Sequence, residues 1–314
     1  MPGARFPREA ARPQAGSPVR VTKKSPPSED GGLFIALGRG MKYTPHMKKK
    51  RTMKAASEEA AAGKDAVRRN HRMNATLEAL SRRKSVRAYT EQPISREAVE
   101  AILHAATQAP TPGNQQLYTI LNITDPGLKH RLSISCDNQP FIEKAKLVLV
   151  FCADCLKWYN AYREADCAPR KPDLGDFLLA VSDANIAAKN AVVAAESLGI
   201  GSCYIGDIME NIETQREILG LPAYVFPAAM LVFGYPTEQQ KAREKPKRFA
   251  MESIVYENAY HQLSGAELRE MFSERVGTRT YEEWVKAFCE RKYNSAFSRE
   301  MSRSVRKFLE SFDA

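Results

Sequence analysis

The stretch "GDFLLAVSDANIAAKNAVVAAESLG", residues 175–199, limits what this chain can build more than any other. Six alanines (184, 187, 188, 191, 194 and 195) crowd a run long enough for about seven helical turns. Small side chains on one helix let a neighbour come close, so the run reads as a central or dimer-interface helix; its alternative is simple helix propensity. Asp176 is the expected N-cap and Gly199 the C-cap.

Apolar stretches flank it on both sides. "KLVLVFCA" (146–153) is a continuous apolar strand of the kind covered on both faces, and "YVFPAAMLVFGYP" (224–236) is a second. "LYTILNIT" (117–124) is β-rich, and "GIGSCYIGDI" (199–208) is a short strand or turn bounded by glycine. Helices are expected over 74–83, from Ser95 up to the prolines at 110 and 112, over 213–222, and near 264–273, 281–292 and 297–311. Ile94 can staple onto Val99 at one helix start, and Ser264 with Glu267 makes a capping box at another. Residues 156–176 read as a helix followed by a proline-containing loop.

Charge divides the chain. It has 47 Lys and Arg against 37 Asp and Glu; residues 1–72 hold 17 and 6 of these, leaving 30 and 31 for the remainder. The basic surplus therefore belongs to the first 72 residues, and no nucleic-acid footprint is expected on the near-neutral body. The tail is too polar to offset the entropy of ordering and is expected to be disordered, either a solvated tail, a localisation or nucleic-acid arm, or an upstream extension of a domain beginning at Met73. No apolar run approaches the length of a membrane span, and "GLFIALG" (32–38) lacks the pattern of a secretory signal, so a cytoplasmic protein is expected. Cys152 and Cys155 are the only close pair among six cysteines and are expected to be ordinary buried thiols.

Two basic loops stand apart from this background. "RRKSVR" (82–87) and "KPKR" (245–248) are distant in sequence, and each abuts a structural boundary. Arginine supplies bidentate hydrogen bonds, lysine a point charge and Ser85 a hydroxyl, the chemistry of a phosphate site.

The chain from about 75 to 250 resembles the FMN-dependent nitroreductase family. Five segments carry the resemblance in order: "RRKSVRAYTEQPIS", "AATQAPTPGNQQ", "AAESLGIGSCYIGDI", "LGLPAYVFPAAMLVFGYP" and "KPKRF". It implies an α+β sandwich, a mixed and mostly antiparallel sheet flanked by helices, in an entwined homodimer with FMN at the interface. It implies Arg83, Lys84, Ser85 and Arg87 as phosphate and ribityl contacts, and Lys245 and Lys247 as a second phosphate-binding pair. Lys247 stands where the family often has Arg. Thr111 and Asn114 match the loop that reaches the flavin from the other subunit, with Pro112 and Gly113 altering it. Tyr204, Ile205 and Gly206 match the loop whose backbone nears the flavin N5 edge. The absence of a G-x-G-x-x-G motif after a strand agrees with FMN rather than a dinucleotide flavin.

The implied chemistry is ping-pong: NADH or NADPH gives a hydride to flavin N5, then a nitroaromatic, quinone or similar small-molecule acceptor takes the electrons. No general acid or nucleophile is expected, and neither His104 nor His130 sits in a catalytic context. The variable segment 156–176, with Trp158, Tyr159 and Tyr162, is the expected lid, and 264–314 a helical tail. The alternatives are another flavin reaction on the same fold, such as reductive dehalogenation, or a binding protein whose basic tail contacts nucleic acid.

Overall fold

The computed structural model describes residues 74–313, so the expected disordered tail over 1–72 lies outside the described residues. In chain order the helices are α1 (Ala75–Arg82), α2 (Arg96–Thr107), α3 (Pro126–Ser135), α4 (Pro140–Glu143), α5 (Leu156–Glu164), α6 (Leu174–Ser197), α7 (Ile212–Leu219), α8 (Glu238–Ala242), α9 (Gly265–Val276), α10 (Tyr281–Phe288) and α11 (Ala296–Asp313). Strand β1 (Tyr118–Asn122) follows α2, β2 (Leu147–Asp154) precedes α5, β3 (Gly201–Ile205) follows α6, and β4 (Val225–Gly234) follows α7.

The strands form one sheet in the order β1-β2-β4-β3, with every neighbouring pair antiparallel. The parallel component of the expected mixed sheet is reduced to an isolated bridge between Ser85 and Ser202. Strand β2 explains its unbroken apolar run by alternation: Leu147, Leu149, Phe151 and Ala153 enter one core, while Val148, Val150 and Cys152 enter another on the opposite face. Pro227 sits inside β4, where a missing N–H should break a ladder. It lies at a bulge, where the register jumps from Phe151 opposite Ala229 to Cys152 opposite Pro227.

Helix α6 covers the first face. Ala180, Ala184, Ala187, Ala188, Ala191 and Ala195 are all fully buried, so the alanine-rich run is the central packing helix. By length and composition α6 could cross a membrane, contrary to the expectation that no run would qualify; its alanine face is buried in the core over β2 and β4. Its start also corrects the sequence reading. Asp173 is the N-cap, and Asp176 completes the capping box from the third helical position. Gly199 takes a left-handed backbone (φ +72°) just past the helix end.

Helices α3 and α4 were not anticipated, although Asp125 caps α3 at 2.6 Å and proline opens both helices. They cover the second face through Leu132, Cys136 and Ile142. Cys152 belongs to this core and Cys155 to the other, and burial pushes both thiols up to about 12. The two are inert small hydrophobes on opposite faces of the sheet. Beyond β4, α9 and α10 gather an aromatic cluster of Phe249, Phe272, Tyr281, Trp284 and Phe288, with Arg275 stacked 3.6 Å over Phe249. Helix α11 returns to the core, where Phe308 packs 4.8 Å from Phe226 and 5.3 Å from Phe177.

Candidate functional site

Strand β3 is an edge strand, and residues 85–90 cover part of that edge. Val86 donates to the Ser202 carbonyl (3.0 Å), Thr90 donates to the Tyr235 carbonyl (2.8 Å), and Thr237 donates to that of Ala88 (3.3 Å). Two glycines make the approach possible. A Cβ on Gly201 would lie 2.6 Å from Val86, and one on Gly234 would lie 2.5 Å from Tyr89.

This lacing carries the first basic loop to the second. Lys84 Nζ donates to the carbonyls of Lys241 (2.7 Å) and Arg243, at the end of α8. Lys245 Nζ donates in return to the carbonyls of Ser81 and Leu80, at the end of α1. Each lysine thus satisfies the carbonyls that end the other segment's helix and complements its dipole. Arg243 adds a bond to the Ser85 carbonyl (2.6 Å). Lys247 pairs with Glu274 of α9 at 3.1 Å, and Arg87 lies 5.9 Å from the Phe141 ring. Arg82 faces solvent, 3.8 Å from Glu196.

Arg83 differs from its neighbours. Its guanidinium sits 5.9 Å over the Tyr204 ring, and its Nε and Nη2 are buried with no hydrogen-bond partner among the described residues. Nearby Lys189, on α6, is pushed below the usual lysine range by burial and by the charges of Arg83 and Lys245. Tyr204 stands 37% exposed on β3 while Ile205 is buried in the second core. A Cβ on Gly206 would meet nothing within 4 Å, so the chain leaves open space there. The same loop runs on to Glu210, which is buried beside Asp207, Asp137 and Glu300. Burial and these like charges raise its carboxyl to about 7.

The Thr111 loop is held at a different point. The Thr111 hydroxyl donates to Asp183 Oδ2 (2.8 Å) and accepts from the Gln116 N–H (2.8 Å), while Leu117 N–H donates to the same carboxylate oxygen (2.7 Å). Asn114 is exposed, and it shares left-handed backbone with Gly113 and Gln116 (φ +56°, +58° and +52°). Trp158 Nε1 donates to the Gln115 carbonyl (2.7 Å). Trp158, Tyr159 and Tyr162 line a cavity of about 410 Å³ together with Gln115, Leu117 and Leu179. Along α6, Asp183 and Lys189 are separated by about 9 Å of helical rise. One chain therefore brings Arg83, Lys84, Ser85, Tyr204 and Lys245 together and anchors Thr111 and Asn114 elsewhere on the helix.

Residues 80–235 match the family model described as "Nitroreductase family". An FMN reductase (NADPH) of Bacillus subtilis is 33% identical over 197 residues, covering 60% of this chain and 76% of that protein. An oxygen-insensitive NADPH nitroreductase of Salmonella typhimurium is 35% identical over 192 residues, covering 61% and 77%. The solved structure of Bacillus megaterium NfrA2 superposes with a TM-score of 0.67 at 30% identity, covering 76% of this chain and 98% of that one. The chain belongs to the nitroreductase family.

Within this nitroreductase-family fold, sequence reasoning missed Asp183, Lys189, Arg243 and Glu210. A signal existed for the first two. They are the only charges between Phe177 and Ala195 in a helix otherwise built of apolar, small and uncharged side chains. Glu210 carried little, because two of its three acidic neighbours, Asp137 and Glu300, come from distant segments.

Proposed function

We propose that this protein is an FMN-dependent NAD(P)H oxidoreductase that reduces small acceptors of the nitroaromatic or quinone type. The relatives named as FMN reductase and nitroreductase support the activity class. The observation that carries the cofactor is the buried, partnerless guanidinium edge of Arg83 among like charges, a donor set suited to a phosphate group. Arg83 and Ser85 would hold the phosphate and ribityl end, with Lys84 and Lys245 holding the two loops in register and adding positive charge. The backbone that follows Tyr204 would face the flavin ring, at Gly206, where a Cβ would meet nothing within 4 Å. When bound, FMN supplies the two-electron chemistry that links the nicotinamide donor to the acceptor. Arg87 and Lys247 complete the proposed contacts.

Thr111 and Asn114 complete the site from a second copy in this reading, which makes the protein a homodimer. Two features support the dimer. The Thr111 loop is anchored at Asp183, apart from the cationic cluster. Leu178 and Leu179 (65% and 51% exposed) and Ile186 (41%) leave apolar side chains uncovered along α6. Trp158, Tyr159 and Tyr162 shape acceptor choice through the cavity they line.

Purified protein should carry, or take up, one FMN per chain and oxidise NADPH or NADH in the presence of an acceptor panel. A colourless protein that stays so after reconstitution with FMN would sink the reading. Trp158→Ala should change the relative rates with different acceptors by several-fold while leaving bound flavin in place, and identical kinetics across the panel would remove the lid assignment.

A further inference from the structure

The loop that follows helix α2 is tightly bent. Gly113, Asn114 and Gln116 all take left-handed backbone, and two of the three lack the freedom of a glycine there. Such a loop keeps its shape only where the surrounding structure holds it. Within the loop, Asn114 N–H donates to the Thr111 carbonyl (3.3 Å) and Gln115 N–H to that of Pro112 (3.1 Å). On one side Asp183 fixes Thr111 and Leu117, and the Gln116 side chain donates back to the Thr107 carbonyl of α2 (3.1 Å).

Helix α5 grips the same loop through its first turn. The Trp158 indole N–H donates to the Gln115 carbonyl (2.7 Å), and Lys157 Nζ donates to the carbonyls of Tyr118 (2.9 Å) and Gln116 (3.4 Å). The turn that carries them is itself anchored in the sheet. Asp154, buried at the end of β2, accepts from the N–H groups of Leu156 and Lys157 (3.0 Å each) with one oxygen. Its other oxygen accepts from the Thr119 hydroxyl of β1 (2.6 Å). A continuous set of bonds thus runs from β1 and β2 through Asp154 to Lys157 and Trp158, and from these to the carbonyls that follow Asn114. Trp158, Gln115 and Leu117 also line the aromatic cavity, while Lys157 lies outside that lining.

We propose that Trp158 and Lys157 are positioning residues, which hold the 111–116 loop where Asn114 meets the flavin and make that loop one rigid piece with the acceptor cavity. This rests on the FMN reading above. Trp158 then has two separable parts: its ring shapes the cavity, and its N–H sets the loop. Lys157 serves the loop alone. A loop held in place before the ligands arrive costs less to order when they bind, and it keeps the reacting groups in register.

The test uses full-length wild type, Trp158→Phe, which keeps a ring and loses the N–H, and Lys157→Met, which keeps the stem and loses the ammonium. In flavin-free protein, amide hydrogen exchange across residues 111–118 should be about tenfold faster in both variants, with β2 unchanged. In protein loaded with FMN, single-turnover flavin reduction by NADPH or NADH, counted per bound flavin, should be about fivefold slower in both. The relative rates of reoxidation by a panel of acceptors should stay as in wild type, and Lys157→Arg should recover most of the reduction rate. Counting per bound flavin separates this effect from a loss of fold, which lowers the amount of loaded protein and not its rate. Unchanged exchange in both variants overturns the inference without reference to flavin. Faster exchange with flavin reduction at the wild-type rate also overturns it, because the grip would then be structural only, and the FMN reading would stand. If Trp158→Phe alters only the acceptor ratios, the indole acts through its ring and the inference fails. If wild type takes up no FMN, the FMN reading fails and the positioning role with it.

Discussion

Two charges in the middle of helix α6, Asp183 and Lys189, lie six residues apart and meet different surroundings. Asp183 is 1% exposed and spends one carboxylate oxygen on its own protein, accepting from Thr111 and Leu117. Lys189 lies near the positive charges of Arg83 and Lys245 and the carboxylate of Glu196. The first is an anchor: its bonds close within the chain and set the Thr111 loop. The second is exposed and can be met from outside the chain. A buried charge satisfied within the chain contributes to the fold, whereas an exposed charge stays open to solvent and to ligands.

Removing the anchor should have the largest effect. Asp183→Ala leaves the Leu117 N–H and the Thr111 hydroxyl without their acceptor and should cost about 3 kcal/mol in urea unfolding. Asp183→Asn, which keeps one acceptor oxygen, should lose less than half of that. If both variants unfold like wild type, Asp183 is not the anchor. On the ligand side, Arg83→Gln should leave stability nearly unchanged and weaken FMN binding by about 2 kcal/mol, roughly thirtyfold. A loss of stability with unchanged FMN affinity would reverse the roles given to Asp183 and Arg83.

Glu210 extends the comparison to a negative charge in negative company. Its folded carboxyl titrates near 7, against 4.5 for an ordinary glutamate. The folded state therefore holds this proton more tightly than the unfolded state. The associated stability is complete below about 4.5 and is lost as pH rises through about 7. Glu210→Gln should remove this dependence, so that the wild type's melting temperature falls relative to the variant's by about 2–4 °C between pH 5 and pH 8. Parallel melting curves for the two proteins across that range would show that Asp207, Asp137 and Glu300 do not crowd this carboxyl.

The elements that were legible in the sequence are those whose pattern is local. The alternation and continuity of 146–153 gave a doubly covered strand, Ser264 with Glu267 gave a capping box that forms with both bonds in place, and the alanines of 184–195 gave the central helix. Helices α3 and α4 were overlooked because α3 has almost no amphipathic contrast, leaving only Asp125 and two prolines as signals. The start of α6 was placed three residues late because Asp173 and Asp176 are both acceptable caps, and only the reciprocal bonds of the capping box tell them apart.

The candidate site divides along the same line. Residue type was enough to point to the two basic loops, 82–87 and 245–248, since charge and hydrogen-bonding capacity are properties of the side chain alone, and the family resemblance singled out Arg83, Lys84, Ser85, Arg87, Lys245 and Lys247 within them. On the near-neutral body, two short cationic loops pointed to a small anion rather than to a polymer. Only the tertiary structure separated the set: Lys84 and Lys245 cap each other's helices, Lys247 turns to Glu274, and Arg83 keeps donors to spare. It alone gave Asp183 to the Thr111 loop. The physical reason is that a side chain's chemistry is local, whereas its partners, its burial and the field around it depend on which distant segments the sheet and α6 bring within a few ångströms.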